Sequence, residues 1–121
     1  FGIRSGEKYE FEWAKKHNTI NKFDLNGLDD LICELKEANL PVYFTVDLDV
    51  LDPSVFPGTG TPEPGGISYK ELQDAVIKVC GGLNIIAADV VELCPHYDQS
   101  GASTAIACKI LRELLLALSG R

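Results

Sequence analysis

The sequence predicts an α/β fold, a three-layer α/β/α arrangement around a mainly parallel sheet. Two apolar runs, PVYFTV (Pro41–Val46) and NIIAADVVEL (Asn84–Leu93), lack the polar alternation of a half-exposed strand. They read instead as strands covered on both faces. Stretches with helical spacing precede and follow them, joined by short connections, and that alternation favours strands running parallel.

The opening stretch, FGIRSG, has no initiator Met and reads as the end of a strand, so the chain is expected to be part of a longer protein. Tyr9–Lys16 mixes charged and aromatic residues and is weakly helical. Asn26-Gly27 punctuates the chain, and LDDLICELKEA then places Leu28, Leu31, Ile32, Leu35 and Ala38 on one apolar helix face. Asn39 closes that helix. Pro41 suits the first residue of a strand, where no ladder donor is lost. After an acidic, Gly/Pro-rich loop, Ser68-x-x-Glu71 forms a capping box, with Leu72, Ala75, Val76 and Val79 facing inward until Gly81-Gly82 stops the helix. A polar loop from Pro95 to Gly101 follows the second strand, and Ala102–Leu118 is a long, largely apolar last helix. Without repeats or linkers, residues 1–121 read as one domain or one piece of one.

Composition narrows the partners. The chain has 121 residues, net charge −7 and no block of Lys or Arg, which disfavours nucleic acid and anionic membrane surfaces. There is no charged-then-apolar leader, and no apolar run reaches the roughly 18 residues of a membrane span. The four cysteines form no C-x-x-C pair. Cys33, Cys80 and Cys108 fall in apolar stretches and read as small buried hydrophobes, and Cys94 completes a set of reduced thiols that suits a cytoplasmic protein.

The chemistry concentrates in DLDVLDPSVFPGTGTPEPGG, Asp47 to Gly66. Carboxylates this close raise one another's cost of ionisation unless a cation lies between them. They also stand at the carboxyl end of a predicted parallel strand, where ligands of such sheets gather. If the chain stays extended, Asp47 and Asp49 share a face about 6.6 Å apart. That spacing lets one carboxylate bridge two cations about 3.5–4 Å apart while the other binds one of them. Asp52, before Pro53, suits a turn anchor that accepts backbone N–H groups.

Rival motifs fail. An EF-hand counted from Asp47 would meet Leu51, Asp52 and Gly58 where a ligand, a glycine and a glutamate belong. A phosphate loop from Gly60 has Gly66 and Ile67 in place of Lys and Ser/Thr, and a dinucleotide fingerprint from Gly58 meets Glu63. No C-x-x-C or H-x-x-x-H pair supports zinc. Spacing alone leaves open both a cation site and a plain solvated acidic turn.

Thr45 to Pro53, with aspartates at 47, 49 and 52, and Pro57–Gly66 (PGTGTPEPGG) together resemble the signature of the arginase/agmatinase (ureohydrolase) family. FGIRSG and DVVELCPHYDQSG resemble further elements of it, and Tyr97-Asp98-Gln99 leans towards agmatinases. The resemblance runs from end to end of the chain but covers only the C-terminal part of the family's α/β/α fold. It implies two Mn²⁺ ions that activate a bridging hydroxide to attack a guanidinium carbon and release urea. The favoured substrate is agmatine, giving putrescine and urea in polyamine biosynthesis. By resemblance, Asp47 would bridge both metals and Asp49 would chelate one. Glu92 would hold the substrate guanidinium as the catalytic carboxylate, and Thr61 would lie close to the substrate. Small guanidino compounds are the implied partners, and a homotrimer or homohexamer the implied assembly.

The family's remaining metal ligands sit in D-A-H-x-D and G-G-x-H elements, and neither occurs here. His17 reads as a surface residue. His96, in the loop after Glu92, is left between a loop role and a substrate contact. The chain is therefore expected to carry only part of a site and to be inactive by itself. The alternatives are an arginase, another guanidino-acid hydrolase, or a non-catalytic piece with a structural role.

Overall fold

A computed structural model describes residues 1–17 and 20–120. The elements are α1 (Lys8–His17), α2 (Leu28–Ala38), β1 (Pro41–Asp47), α3 (Tyr69–Gly82), β2 (Asn84–Val91) and α4 (Ala102–Leu118), with single 3-10 turns at Leu48–Val50 and Pro95–Tyr97. β1 and β2 pair in parallel, with Thr45 opposite Asp89 and Asp47 opposite Val91, and an irregularity between Val42 and Tyr43 shifts the register.

Local chemistry sets the boundaries. Asn39 closes α2 in the left-handed conformation, donating its N–H to the Lys36 carbonyl. α3 starts at the expected capping box: the Ser68 side chain accepts the Glu71 N–H while the Glu71 carboxylate accepts the Ser68 N–H. α3 ends at Gly82, where a Cβ would lie 3.0 Å from Ile32 of α2. The pair is further joined by Lys78 and Asp29 at 2.8 Å.

The core joins Val46 of β1, Leu48, Leu51, Phe56 and Ile67 of the following loop, Leu72 and Val76 of α3, and Ala107, Ile110 and Leu114 of α4. Phe44, Ala88 and Val90 pack against it from the sheet. The opposite face carries Tyr43, Thr45 and Asp89. The reading of β1 as covered on both faces is therefore corrected. Its burial alternates, and Tyr43 is 61% exposed, because the described helices that meet this core lie on one side of the sheet.

Three smaller expectations also change. FGIRSG is not a strand end; it makes one isolated bridge, Ile3 to Lys22, because Gly2 takes φ 69, outside strand geometry. The α2 face of Leu28, Leu31, Ile32 and Leu35 is only half-buried, and Ala38 is exposed. Cys80 is buried as expected, whereas Cys33 and Cys108 are exposed free thiols. Each follows an inward residue, Ile32 or Ala107, and a helix turns about 100° per residue.

Candidate functional site

β1 delivers Asp47 to its carboxyl end, and the chain turns at once. Leu48–Val50 forms a 3-10 turn whose N-cap is Asp47, its carboxylate accepting the Asp49 N–H at 2.8 Å. The expected extended geometry of Asp47 and Asp49 is thus replaced by a turn. The reason is burial: turning here sends Leu48 and Leu51 into the core at 0% and 1% exposure. The two carboxylates remain neighbours, but their relation comes from the turn and not from strand pleating.

Asp49 is held through both oxygens. Thr59 donates its hydroxyl to Oδ1, and Thr61 donates to Oδ2 at 2.7 Å. Thr59 is buried at 2% exposure, so its hydroxyl has a fixed partner and not a solvent contact. Thr61, expected beside the substrate, here points its hydroxyl at Asp49.

Burial is the main cause that raises the Asp47 pKa. The neighbouring Asp49 charge adds to it, while the Asp49 N–H and the Arg4 guanidinium oppose it. Asp52 behaves as the expected turn anchor, accepting N–H groups from Ser54 at 2.9 Å, Gly65 at 2.9 Å and Gly66 at 3.2 Å. These bonds, with the Ser54 hydroxyl first among them, lower its pKa to about 2.

Glu92 follows β2 with φ 67, a left-handed conformation unusual for a residue with a side chain. Its carboxylate reaches the PGTGTP loop: Oε2 lies 3.6 Å from where a Cβ on Gly60 would sit. The loop is fastened nearby through Gly58, whose N–H donates to Ser103 Oγ at 2.9 Å and whose carbonyl accepts the Cys94 N–H at 2.7 Å. A Cβ at residue 58 would fall 2.6 Å from that of Ser103, so only glycine allows this approach. Asp49 and Glu92 thus both reach the Thr59–Thr61 loop, while Asp47 stays beside Asp49 at the end of β1.

The two histidines stay outside this cluster's hydrogen bonds. His17 is exposed and stacks on Trp13 with ring centroids 4.6 Å apart. His96 is exposed on the 3-10 turn after Glu92, and its carbonyl accepts from Gln99.

Two residues were missed in the sequence. Asp98 is buried at 9% exposure and accepts the Ser100 hydroxyl at 2.6 Å and the Ser103 N–H at 2.7 Å. These contacts hold its carboxyl well below the usual carboxylate range. The D-x-S spacing was a local signal for an Asx turn. Arg4 donates to main-chain carbonyls of the acidic turn and of Glu63, and nothing near it in sequence announces those partners. A cleft of about 430 Å³ opens here, with Arg4, Phe44, Asp47, Asp49, Thr61 and Glu63 in its wall.

The donor set suits a hard divalent cation, since carboxylate oxygens favour Mg²⁺, Ca²⁺ and Mn²⁺. It suits one only in part. Among the described residues, no group of three or more His, Cys, Asp or Glu could hold a metal ion. Asp47 and Asp49 by themselves offer carboxylate oxygens of the right kind but too few of them to fill such an ion's coordination.

Comparison with known proteins agrees with this architecture. The profile described as the arginase family matches residues 1–117. An agmatinase of Bacillus cereus is 49% identical over 119 residues, covering 96% of this chain and 40% of that protein. A crystal structure of a Clostridium difficile protein superposes with TM-score 0.91 at 50% identity, covering 98% of this chain and 44% of the other. The arginase of Bacillus caldovelox superposes with TM-score 0.79 at 30% identity, covering 99% and 42%. The chain spans about 40% of the length of the curated relatives it matches.

Proposed function

Because the chain belongs to the arginase family, we propose that it supplies one side of a dimanganese site that hydrolyses a guanidino compound, agmatine first, to putrescine and urea. The observation that carries this reading is the placement of Asp47 and Asp49 at the carboxyl end of β1 and of Glu92 just after the neighbouring β2, with Asp49 and Glu92 both reaching the Thr59–Thr61 loop. Among the described residues none of these three carboxylates takes part in an ion pair. Carboxylates near a strand end that no protein cation pairs with directly suit a cationic occupant.

In this reading Asp47 and Asp49 would hold the manganese ions, with the two Asp49 oxygens oriented by Thr59 and Thr61. Bound there, manganese would lower the pKa of water enough to make a nucleophile available at neutral pH. Glu92 fixes the planar guanidinium through charge-assisted, bidentate hydrogen bonds. It thereby presents the guanidinium carbon to the attacking oxygen. Thr61 stays on the substrate side of the loop with its hydroxyl committed to Asp49. The 121 residues then form the C-terminal portion of one arginase-like α/β domain.

Agmatine is favoured over arginine because the chain is 49% identical to the Bacillus cereus agmatinase and 30% identical to the Bacillus caldovelox arginase. Arginase activity is the second reading. A homo-oligomer belongs to the same proposal, supported by Leu111, Leu115 and Leu118, which α4 leaves 45%, 58% and 40% exposed. A cytoplasmic setting is supported by the four free thiols. No described helix is long and apolar enough to cross a membrane.

The test uses the protein as its gene encodes it, loaded with Mn²⁺ and offered agmatine or arginine. Urea release should be faster from agmatine. Glu92→Gln should retain its metal yet lose about 10- to 100-fold in kcat/KM, the range that follows from about 1.5–3 kcal/mol for a charge-assisted bond. Urea from neither compound, or a Glu92→Gln variant with unchanged kcat and KM, would overturn the reading.

A further inference from the structure

We propose that Arg4 is a positioning residue, a clamp that fixes the Asp49–Glu63 loop and through it the Asp49 carboxylate. The inference rests on the manganese reading only for the consequence on metal binding; the clamp itself stands on geometry. Arg4 is half-buried, and its guanidinium donates to four main-chain carbonyls. Nε reaches the Glu63 carbonyl at 3.0 Å. One terminal nitrogen reaches Gly2 at 3.2 Å and Val50 at 3.1 Å, and the other reaches Asp49. Among the described residues it makes no ion pair with a carboxylate.

That pattern is unusual for a cation so close to two aspartates. A planar fork with five donors is committed to carbonyls in three separate segments: the start of the chain, the turn after β1, and the far end of the PGTGTP loop. The same turn and loop are joined from the other side, where Thr59 and Thr61 donate to Asp49. Asp49 is thus tied twice, by Arg4 through its main chain and by the threonines through its carboxylate. The arginine tie closes the loop at its two ends, Asp49 and Glu63; the threonine ties close its middle. With its donors used on carbonyls, the guanidinium holds the acidic turn in place without forming an ion pair with either aspartate.

Lysine keeps the charge of arginine but not the fork, because a compact ammonium with three donors cannot span these carbonyls in one plane. Arg4→Lys therefore separates geometry from charge. In the metal-free protein as its gene encodes it, hydrogen exchange of amides in residues 49–63 should accelerate several-fold in Arg4→Lys, with α3 and α4 unchanged. Unchanged loop exchange overturns the clamp. Exchange that accelerates equally through α3 and α4 makes Arg4 a general structural residue and also overturns it. Should Arg4→Lys fail to fold, Arg4→Gln, which keeps an amide donor, is read against the same two outcomes.

The second readout is Mn²⁺ binding, followed by the electron paramagnetic resonance of the free ion. Arg4→Lys should bind about 10- to 100-fold more weakly, the usual loss when a partner that orients a metal ligand is removed. Excess Mn²⁺ should then restore turnover. Wild-type affinity in a variant with a loosened loop overturns the link to Asp49. A wild-type protein that binds no Mn²⁺ overturns the manganese reading itself, and loop exchange alone then judges the clamp.

Discussion

Glu92 sets its backbone against its chemistry. A left-handed conformation costs a residue with a Cβ about 1–2 kcal/mol, and φ is 67 here. Such strain persists where the surroundings enforce it, commonly at functional positions. Comparing Glu92→Gly with Glu92→Ala isolates this term, because both remove the carboxylate. The glycine variant should be the more stable by about 1 kcal/mol in denaturant unfolding; equal stability would show that no strain is stored there.

Asp52 gives a pH prediction with a definite sign. Its pKa falls from the ordinary 3.8 to about 2 in the folded chain. Its contribution is therefore complete above about pH 4 and is lost as pH falls toward 2. Asp98 is lowered as well and adds to the same acid limb. Asp52→Asn should flatten the fall of the melting temperature between pH 4 and pH 2; an unchanged slope would remove Asp52 from the acid response. Its role was legible in the sequence because Asp-Pro starts a turn locally. The ties on Asp49 were not, since Thr59 and Thr61 lie 10 and 12 residues away and Arg4 lies 45.

Among the elements, the helices were the most legible. The Ser68/Glu71 box is written in four residues and forms as read. Ser68→Ala should cost about 1 kcal/mol of stability, and Ser68→Asp, which keeps an acceptor at the cap, should cost far less. Equal losses in both variants would point away from capping. The strands were legible in place but not in surroundings. PVYFTV carries apolar residues on both faces, and sequence alone cannot say which of them finds a neighbour. The core takes Phe44 and Val46 and leaves Tyr43 exposed. The 3-10 turn after Asp47 was missed for a related reason. It forms because Leu48 and Leu51 both need the core, a demand set by α3 and α4 and not by the local pattern.

For the whole molecule, the parallel pair β1–β2 brings two distant carboxylate sets to one end of the sheet, Asp47 and Asp49 after one strand and Glu92 after the other. Ser103 and Cys94 then fasten the intervening loop through Gly58. The acidic strand end was legible as a cluster of carboxylates because its residue types and spacing are local. What only the fold shows is how Glu92 meets the Gly60 side of the loop, 32 positions earlier in the chain. The central claim, that this strand end is one wall of a dimanganese centre, is tested most directly by counting Mn²⁺ per chain. The count is made after desalting the protein as its gene encodes it, for the wild type and for Asp47→Asn. The account predicts about two ions, as a bridged pair requires, and their loss in Asp47→Asn. The same Mn²⁺ content in both proteins would contradict it.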